Sequence, residues 1–413
     1  MTGGEALSVL SRFYCVSADR AGEVRLELVD EPIEGIAVVD GCLVGSEVRV
    51  ATHAVLVDVE PDGALRGRPV DPLELRDGTL CFDPSQGGVR TRENRRARGA
   101  FNRLVAEADR FGMVNAYVHA QRAAQSFNTL LADVGTPPLP VLHVVVGAHF
   151  GSKLPGYGCG DGDRRWGALR PLSGGHYRLS TRSTGVPEPL SVEPDGEIHL
   201  GPSRYRKPFA AWIAYLRNAA HNPAIVYHEF GHHLCRHTAD FRLNAERAPG
   251  KQRNGKTGIE EGVCDYFAAV LLGSGRPYGW YRADRGRRRD PELPRHASER
   301  DGRSDAHAVG ATWAGAWWRC RRELVAQGHL RAEVDHDRTL ARALLAVGEV
   351  GRGGKRRTRT DREAQRSSPN TMLSAYLAAV REAAGPSGAG TAAAIIEQHG
   401  LLDDCEHQEP TRC

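Results

Sequence analysis

The sequence predicts an α+β chain: a small β-rich domain over residues 1–92, a larger region over 93–403 that turns mostly helical toward its C-terminal end, and a tail at 404–413. Three observations predict it. Short β-branched runs separated by Asp, Gly and Pro fill the chain as far as residue 90. Apolar residues at helical spacing take over near Arg92. Helix start signals then recur through the second half. With 413 residues, 40% of them hydrophobic, the chain has material for two or three cores.

Taken in order, "EVRLELV", "GIAVVDG", "SEVRVATHAVLVDVE" and "TLCFDP" read as strands. The stretch from "ENRRARG" to "LLADVG" has helical spacing, with a break expected at Gly112 and a stop at Gly135. "LPVLHVVVGAHF" is a buried strand, and 151–193, rich in Gly, Pro, Ser and Arg, predicts long loops. "GEIHLGP" restarts order as a short strand, a candidate edge facing a substrate. Helices follow over about 207–220, 223–238, 257–272 and 305–326. Residues 282–305 and 351–368 read as polar loops, the second one disordered. "TMLSAYLAAVREAAG" and "TAAAIIEQHGLL" close the chain as helices.

Composition removes several classes of function. A formal net charge of +4 over this length does not argue for nucleic acid. Three arginine-rich runs, at 90–103, 282–295 and 352–366, are interleaved with acids and nearly free of aromatics, which fits solvated loops. No apolar run has the length of a membrane span. The N-terminus shows neither a basic n-region nor an apolar h-region, so no secretory signal is read. The nine cysteines are scattered singly with no CxxC pair, as expected of reduced thiols in a cytoplasmic protein.

The chemistry concentrates in "NPAIVYHEFGHHLCRH", 222–237. Asn222 is a fitting N-cap and Pro223 suits the first turn of a helix. His228 and His232, four residues apart, share a face and can grip one ion. Glu229 points about 100° away, where it reaches a water at the metal without ligating. This is the HExxH arrangement of two ligands and a general base.

A catalytic zinc needs a third protein ligand. A histidine at the HExxHxxGxxH spacing is excluded, because Cys235 and Thr238 occupy the glycine and last histidine positions. A carboxylate from "KTGIEEGVCDYFAAVLLG" is the other source. Thr257 and Glu260 form a capping box, giving Glu260 a structural task. Glu261 is left as the ligand, with Asp265 one turn on to accept the free N–H of His228.

"HEFGH" followed by "IEEGVCDYF" resembles the gluzincin metallopeptidases of the thermolysin and fungalysin type, whose third ligand sits in E-x-x-x-D. "NAYVHAQRAAQSF" and "DAHAVGATWAGAWW" are similar to segments flanking the site in fungalysin-like proteins. The resemblance covers roughly 95–403. It implies a zincin-type, two-lobed metallopeptidase domain, its upper lobe about 93–238 and its helical lower lobe about 239–403. It implies one catalytic Zn²⁺ and a peptide or protein substrate. By the same resemblance His307 falls where a histidine steadies the oxyanion, with Asp305 or Asp301 to orient it. Two features depart from the family: no signal or long propeptide is read at the N-terminus, and no tyrosine lies between Leu234 and Ile259 to act as oxyanion donor.

The expected function is thus a zinc endopeptidase. The alternatives are a dedicated intracellular processing enzyme for one partner or precursor, or a non-catalytic zinc-containing binding protein. Nucleic-acid and membrane partners are not expected, and the oligomeric state is open. Asn115 and His119 read as helix surface, Trp313, Trp317 and Trp318 as core, His233 and His237 as flank residues, and Cys235 and Cys264 as buried structural thiols.

Overall fold

The computed structural model describes residues 9–19, 21–52, 54–59, 65–69, 79–80, 98–150, 170–171, 174–179, 196–202, 218–248, 251–279, 287–299, 305–352 and 358–402. It is an α+β fold. An N-terminal hairpin, β1 (Val9–Ala18) and β2 (Val24–Ile33), pairs antiparallel from Val9↔Ile33 to Ala18↔Val24, and β8 (Thr79–Leu80) adds to β1 in parallel. β6 (Val55–Val59) and β7 (Leu65–Pro69) form a second hairpin, and further along the chain β10 (His149–Phe150) pairs antiparallel with β11 (Arg170–Pro171).

The main sheet has six strands. β3 (Ala37–Val39), β4 (Cys42–Val44) and β5 (Val48–Thr52) come from the N-terminal segment. β9 (Leu142–Val146), β12 (Gly175–Arg178) and β13 (Glu197–Leu200) come from beyond residue 92. The order is β12-β13-β9-β5-β4-β3. β5, β9 and β13 run parallel, and both outer flanks are antiparallel. The expected boundary at residue 92 therefore does not separate two sheets. β5 supplies what β9 needs on its open side, since a run as apolar as "LHVVV" is stable only between strands and under a helix.

That helix is α1 (Arg98–Asp133). It runs unbroken through Gly112, where a break was expected. The missing side chain there admits Ala220 and Val146, which would stand 3.0 and 3.2 Å from a Cβ. α1 also packs on the helices that carry the site: Phe127 meets Phe230 at 5.6 Å and Phe267 at 5.2 Å between ring centres. Asn115 and His119, expected on the surface, are wholly buried. Asn115 bridges the backbone of Tyr14 and Ala220, and His119 bridges Tyr227 Oη and the Tyr14 carbonyl. They tie the N-terminal hairpin to the residue preceding His228.

The C-terminal region is helical: α2 (Pro223–His237), α3 (Gly258–Leu272), α4 (Ala306–Ala326), α5 (Glu333–Glu349), α6 (Arg359–Arg366) and α7 (Pro369–Gln398). α7 contains the two expected closing helices, joined at Gly385, whose φ of 72° precedes Pro386. α5 was not anticipated, and α6 lies in the stretch read as disordered. Thr358 and Asp361 cap α6 reciprocally, and Glu363 fastens it to the body through Arg247. Trp313, Trp317 and Trp318 are core as expected. Within 151–193, expected as loop, β11 and β12 are strands. The helix expected over 207–220 lies largely outside the described residues, and its end, Ala219–His221, is a 3-10 turn. Among the described residues no helix is long and apolar enough to cross a membrane.

Candidate metal centre

α2 begins as its sequence dictates, with the Asn222 side chain accepting from Ala224 N at 3.0 Å and Pro223 in the first turn. α3 starts at Thr257, whose hydroxyl accepts from Glu260 N at 3.0 Å. The two helices cross at Gly231. A Cβ there would lie 2.8 Å from the Cα of Cys264, so glycine sets how closely the helices approach. This contact brings His228 and His232 against Glu261, all three buried.

Each histidine is held by a carboxylate. His228 Nδ1 lies 2.8 Å from Asp265 Oδ1, and His232 Nδ1 lies 2.9 Å from Glu260 Oε1. A carboxylate on one ring nitrogen fixes which face the other presents. The Nε2 atoms turn to Glu261, at 3.2 Å from His228 and 3.8 Å from His232. His307, from the start of α4, stands on the open side. Its Nε2 is 3.3 Å from Glu261 Oε2 and its Nδ1 is 3.1 Å from Asp305 Oδ1. Asp301 lies outside the described residues.

Glu261 Oε2 is buried, and His228 Nε2 at 3.2 Å and His307 Nε2 at 3.3 Å face it without either contact being aligned as a hydrogen bond. A buried acceptor left in that state fits a cation as its missing partner. Two sets have their ligand atoms within 4.8 Å of one another: His228, Glu261 and His307, and His228, His232 and Cys264. A buried His/Cys/Glu group can thus hold a metal ion here.

The charges agree. Glu261 is buried, which opposes ionisation, yet His232 and His228 hold its pKa well below the usual range. Burial and Arg289 push His228 down, but Asp265 and Glu261 raise it to about 9. Asp265 is brought down to about 2 against its burial by Arg289 and His228. Its Oδ1 accepts from Tyr278 Oη at 2.7 Å and from Arg289 Nη2 at 2.6 Å. Burial lifts the Cys264 thiol well above its usual range, so the thiol form is favoured.

Glu229, 6% exposed, lies against the edge of the sheet. A Cβ on Gly175 of β12 would stand 2.5 Å from Glu229 Cγ, so the strand's glycine makes room for this carboxylate. Among the described residues β12 is the terminal strand, and the candidate edge "GEIHLG" instead forms β13, one strand further in. The reason is that β13 pairs on both sides, with β12 and with β9.

Several site groups escaped the sequence reading. The Glu260 carboxylate holds His232, so only the Thr257 half of the expected capping box forms. Cys264 is a buried free thiol, as expected, and its Sγ also approaches His232 Nδ1 at 3.3 Å. Arg289 comes from a stretch read as a solvated loop, yet it reaches Asp265 and lies 3.3 Å from His228 Nδ1. Its signal was absent because its partner is 24 residues away. His233 packs as expected of a flank residue, between Tyr177 Oη and the Pro140 carbonyl. Compared with protein-family models and with curated proteins, the chain matches none of them.

Proposed function

We propose that this chain is a zinc-dependent endopeptidase of the gluzincin kind, with His228, His232 and Glu261 as metal ligands and Glu229 as general base. The observation that carries the reading is the pair of carboxylate-held imidazoles, whose inner nitrogens converge on the buried Glu261 carboxylate while Glu229 sits beside β12. Glu261 is favoured over Cys264 as third ligand for two reasons. The buried thiol resists ionisation, and the His232 nitrogen it approaches already has Glu260 as partner.

Zinc, when bound, supplies Lewis-acid polarisation of a peptide carbonyl and draws the pKa of water toward neutrality. Glu229 takes the proton of the attacking water and returns it to the leaving amine. His307, steadied by Asp305, donates to the carbonyl oxygen as charge builds there. A substrate in extended form aligns along β12, the terminal strand among the described residues.

The test is Glu229→Gln. The variant should retain about one zinc per chain, by elemental analysis, and lose peptide hydrolysis by at least about a hundredfold. Surviving hydrolysis would remove Glu229 as the base. A wild type without zinc would remove the whole reading.

A further inference from the structure

Beside α4 the chain encloses a cavity of about 310 Å³, at the lower end of the size of small-molecule sites. All the residues that line it are described ones, and none of them belongs to the metal centre. One wall is a face of α4, where Gly315, Trp318, Arg319, Arg322 and Glu323 recur at the helical period. Pro291, Glu292 and Pro294 form the other wall, and His399 closes the end beside Gly315. The missing side chain of Gly315 opens that end. A Cβ there would stand 3.4 Å from the Pro291 carbonyl oxygen and 3.5 Å from His399 Cε1.

The interior of this cavity is apolar and its solvent side is cationic. Trp318, buried, and the two prolines supply the apolar surface. Burial lowers the pKa of His399, so its ring brings no charge near neutrality. Arg319 is exposed and, among the described residues, has no ion pair. Arg322 reaches only Glu292, at 3.8 Å, and Glu292 is already held by Arg276 at 2.6 Å. Glu323, four residues on from Arg319, meets Gln327 at 3.5 Å instead of either arginine. Two guanidiniums three residues apart on one helix repel each other.

We propose that this cavity binds a small apolar monocarboxylate, with its hydrocarbon body against Trp318 and its carboxylate between Arg319 and Arg322. A carboxylate there accepts from both planar guanidiniums at once and removes the repulsion between them. An ammonium would meet two like charges. The hydrocarbon body leaves water for the indole and proline walls, which reward an aromatic or branched group over a short one. Glu323 lines the same wall and opposes a second negative charge, so the ligand carries one carboxylate and not two. The proposal is independent of the endopeptidase reading, because it uses no residue of that site.

The experiment is calorimetric titration of the full chain, with and without zinc, using three probes. Phenylpropionate carries both features, phenylpropionamide lacks the charge, and propionate lacks the ring. Phenylpropionate should bind with a Kd of about 1 mM or tighter, by the affinity usual for a ligand of its size. It should bind at least about fivefold tighter than the amide, and at least about tenfold tighter than propionate. Zinc should change none of these values. Arg319→Gln combined with Arg322→Gln should bring the acid to the affinity of the amide and leave the amide as it was. Both arginines are exposed, so the substitutions leave the core intact. Acid and amide bound alike by the wild type would overturn the inference, as would no binding of any probe. A preference for the acid that survives the double substitution puts the carboxylate elsewhere, the metal centre included, and also sinks it. Propionate bound as tightly as phenylpropionate would leave only a surface contact between ions, with no role for the cavity.

Discussion

At the residue scale, Glu261 and Cys264 make competing claims on the metal. They sit one turn apart on α3, and each joins a set of atoms that can hold an ion. The two are separable by substitution. Glu261→Ala should strip zinc from the purified chain, while Cys264→Ser should leave the stoichiometry at about one, read by elemental analysis. The opposite pattern would give the site a thiolate. Asp265 acts through His228. Asp265→Asn keeps the shape but loses the charge that fixes the imidazole, and zinc affinity in a chelator competition should fall about 10–100-fold.

Between elements, the site depends on how closely α2 and α3 approach and on what holds their connection. Gly231→Val inserts a branched side chain where even a Cβ would lie 2.8 Å from backbone. The helices must part, and zinc binding should be lost together with several degrees of Tm, by scanning calorimetry. The segment between the helices is held from outside by α6. Glu363, buried, takes Arg247 in a close buried pair, with Arg253 at 3.1 Å and Arg242 at 3.4 Å. Glu363→Ala leaves the Arg247 charge buried without its partner and should cost about 3–5 kcal/mol in urea titration.

For the whole molecule, buried histidines set the response to acid. Burial depresses His119 and His336 to about 3 and His221 to about 4, and takes His233 well below its usual range. Each is neutral when folded and takes up a proton on unfolding below about pH 6.5. Stability from them is present near neutrality and lost as pH falls. Asp109 and Asp290, raised by burial to about 7 and about 6, act in the opposite sense, because folding keeps them protonated where the unfolded chain ionises. The depressed histidines outnumber the raised carboxyls, so unfolding at pH 5 should take up protons and the chain should be less stable at pH 5 than at pH 6. Urea titrations at pH 5 and pH 6 measure this difference, and a chain equally stable at both would contradict it.

The sequence by itself determined the local features of the site. Asn222 and Pro223 mark the start of α2, the four-residue spacing puts His228 and His232 on one face, and Thr257 starts α3 with Glu261 and Asp265 one turn apart. These follow from the 3.6-residue period and from capping, which act within a few residues. Tertiary structure decided everything that needed a distant partner. It turned the Glu260 carboxylate from a cap to His232, drew Arg289 from a polar loop onto Asp265, and buried Asn115 and His119 under the N-terminal hairpin. It placed β5 beside β9 across the expected domain boundary and gave β13 a partner on each side, β12 and β9. In each case the deciding term is the desolvation of a polar group, or of an apolar strand face, by residues far away in the chain. Periodicity and capping carry no record of such contacts.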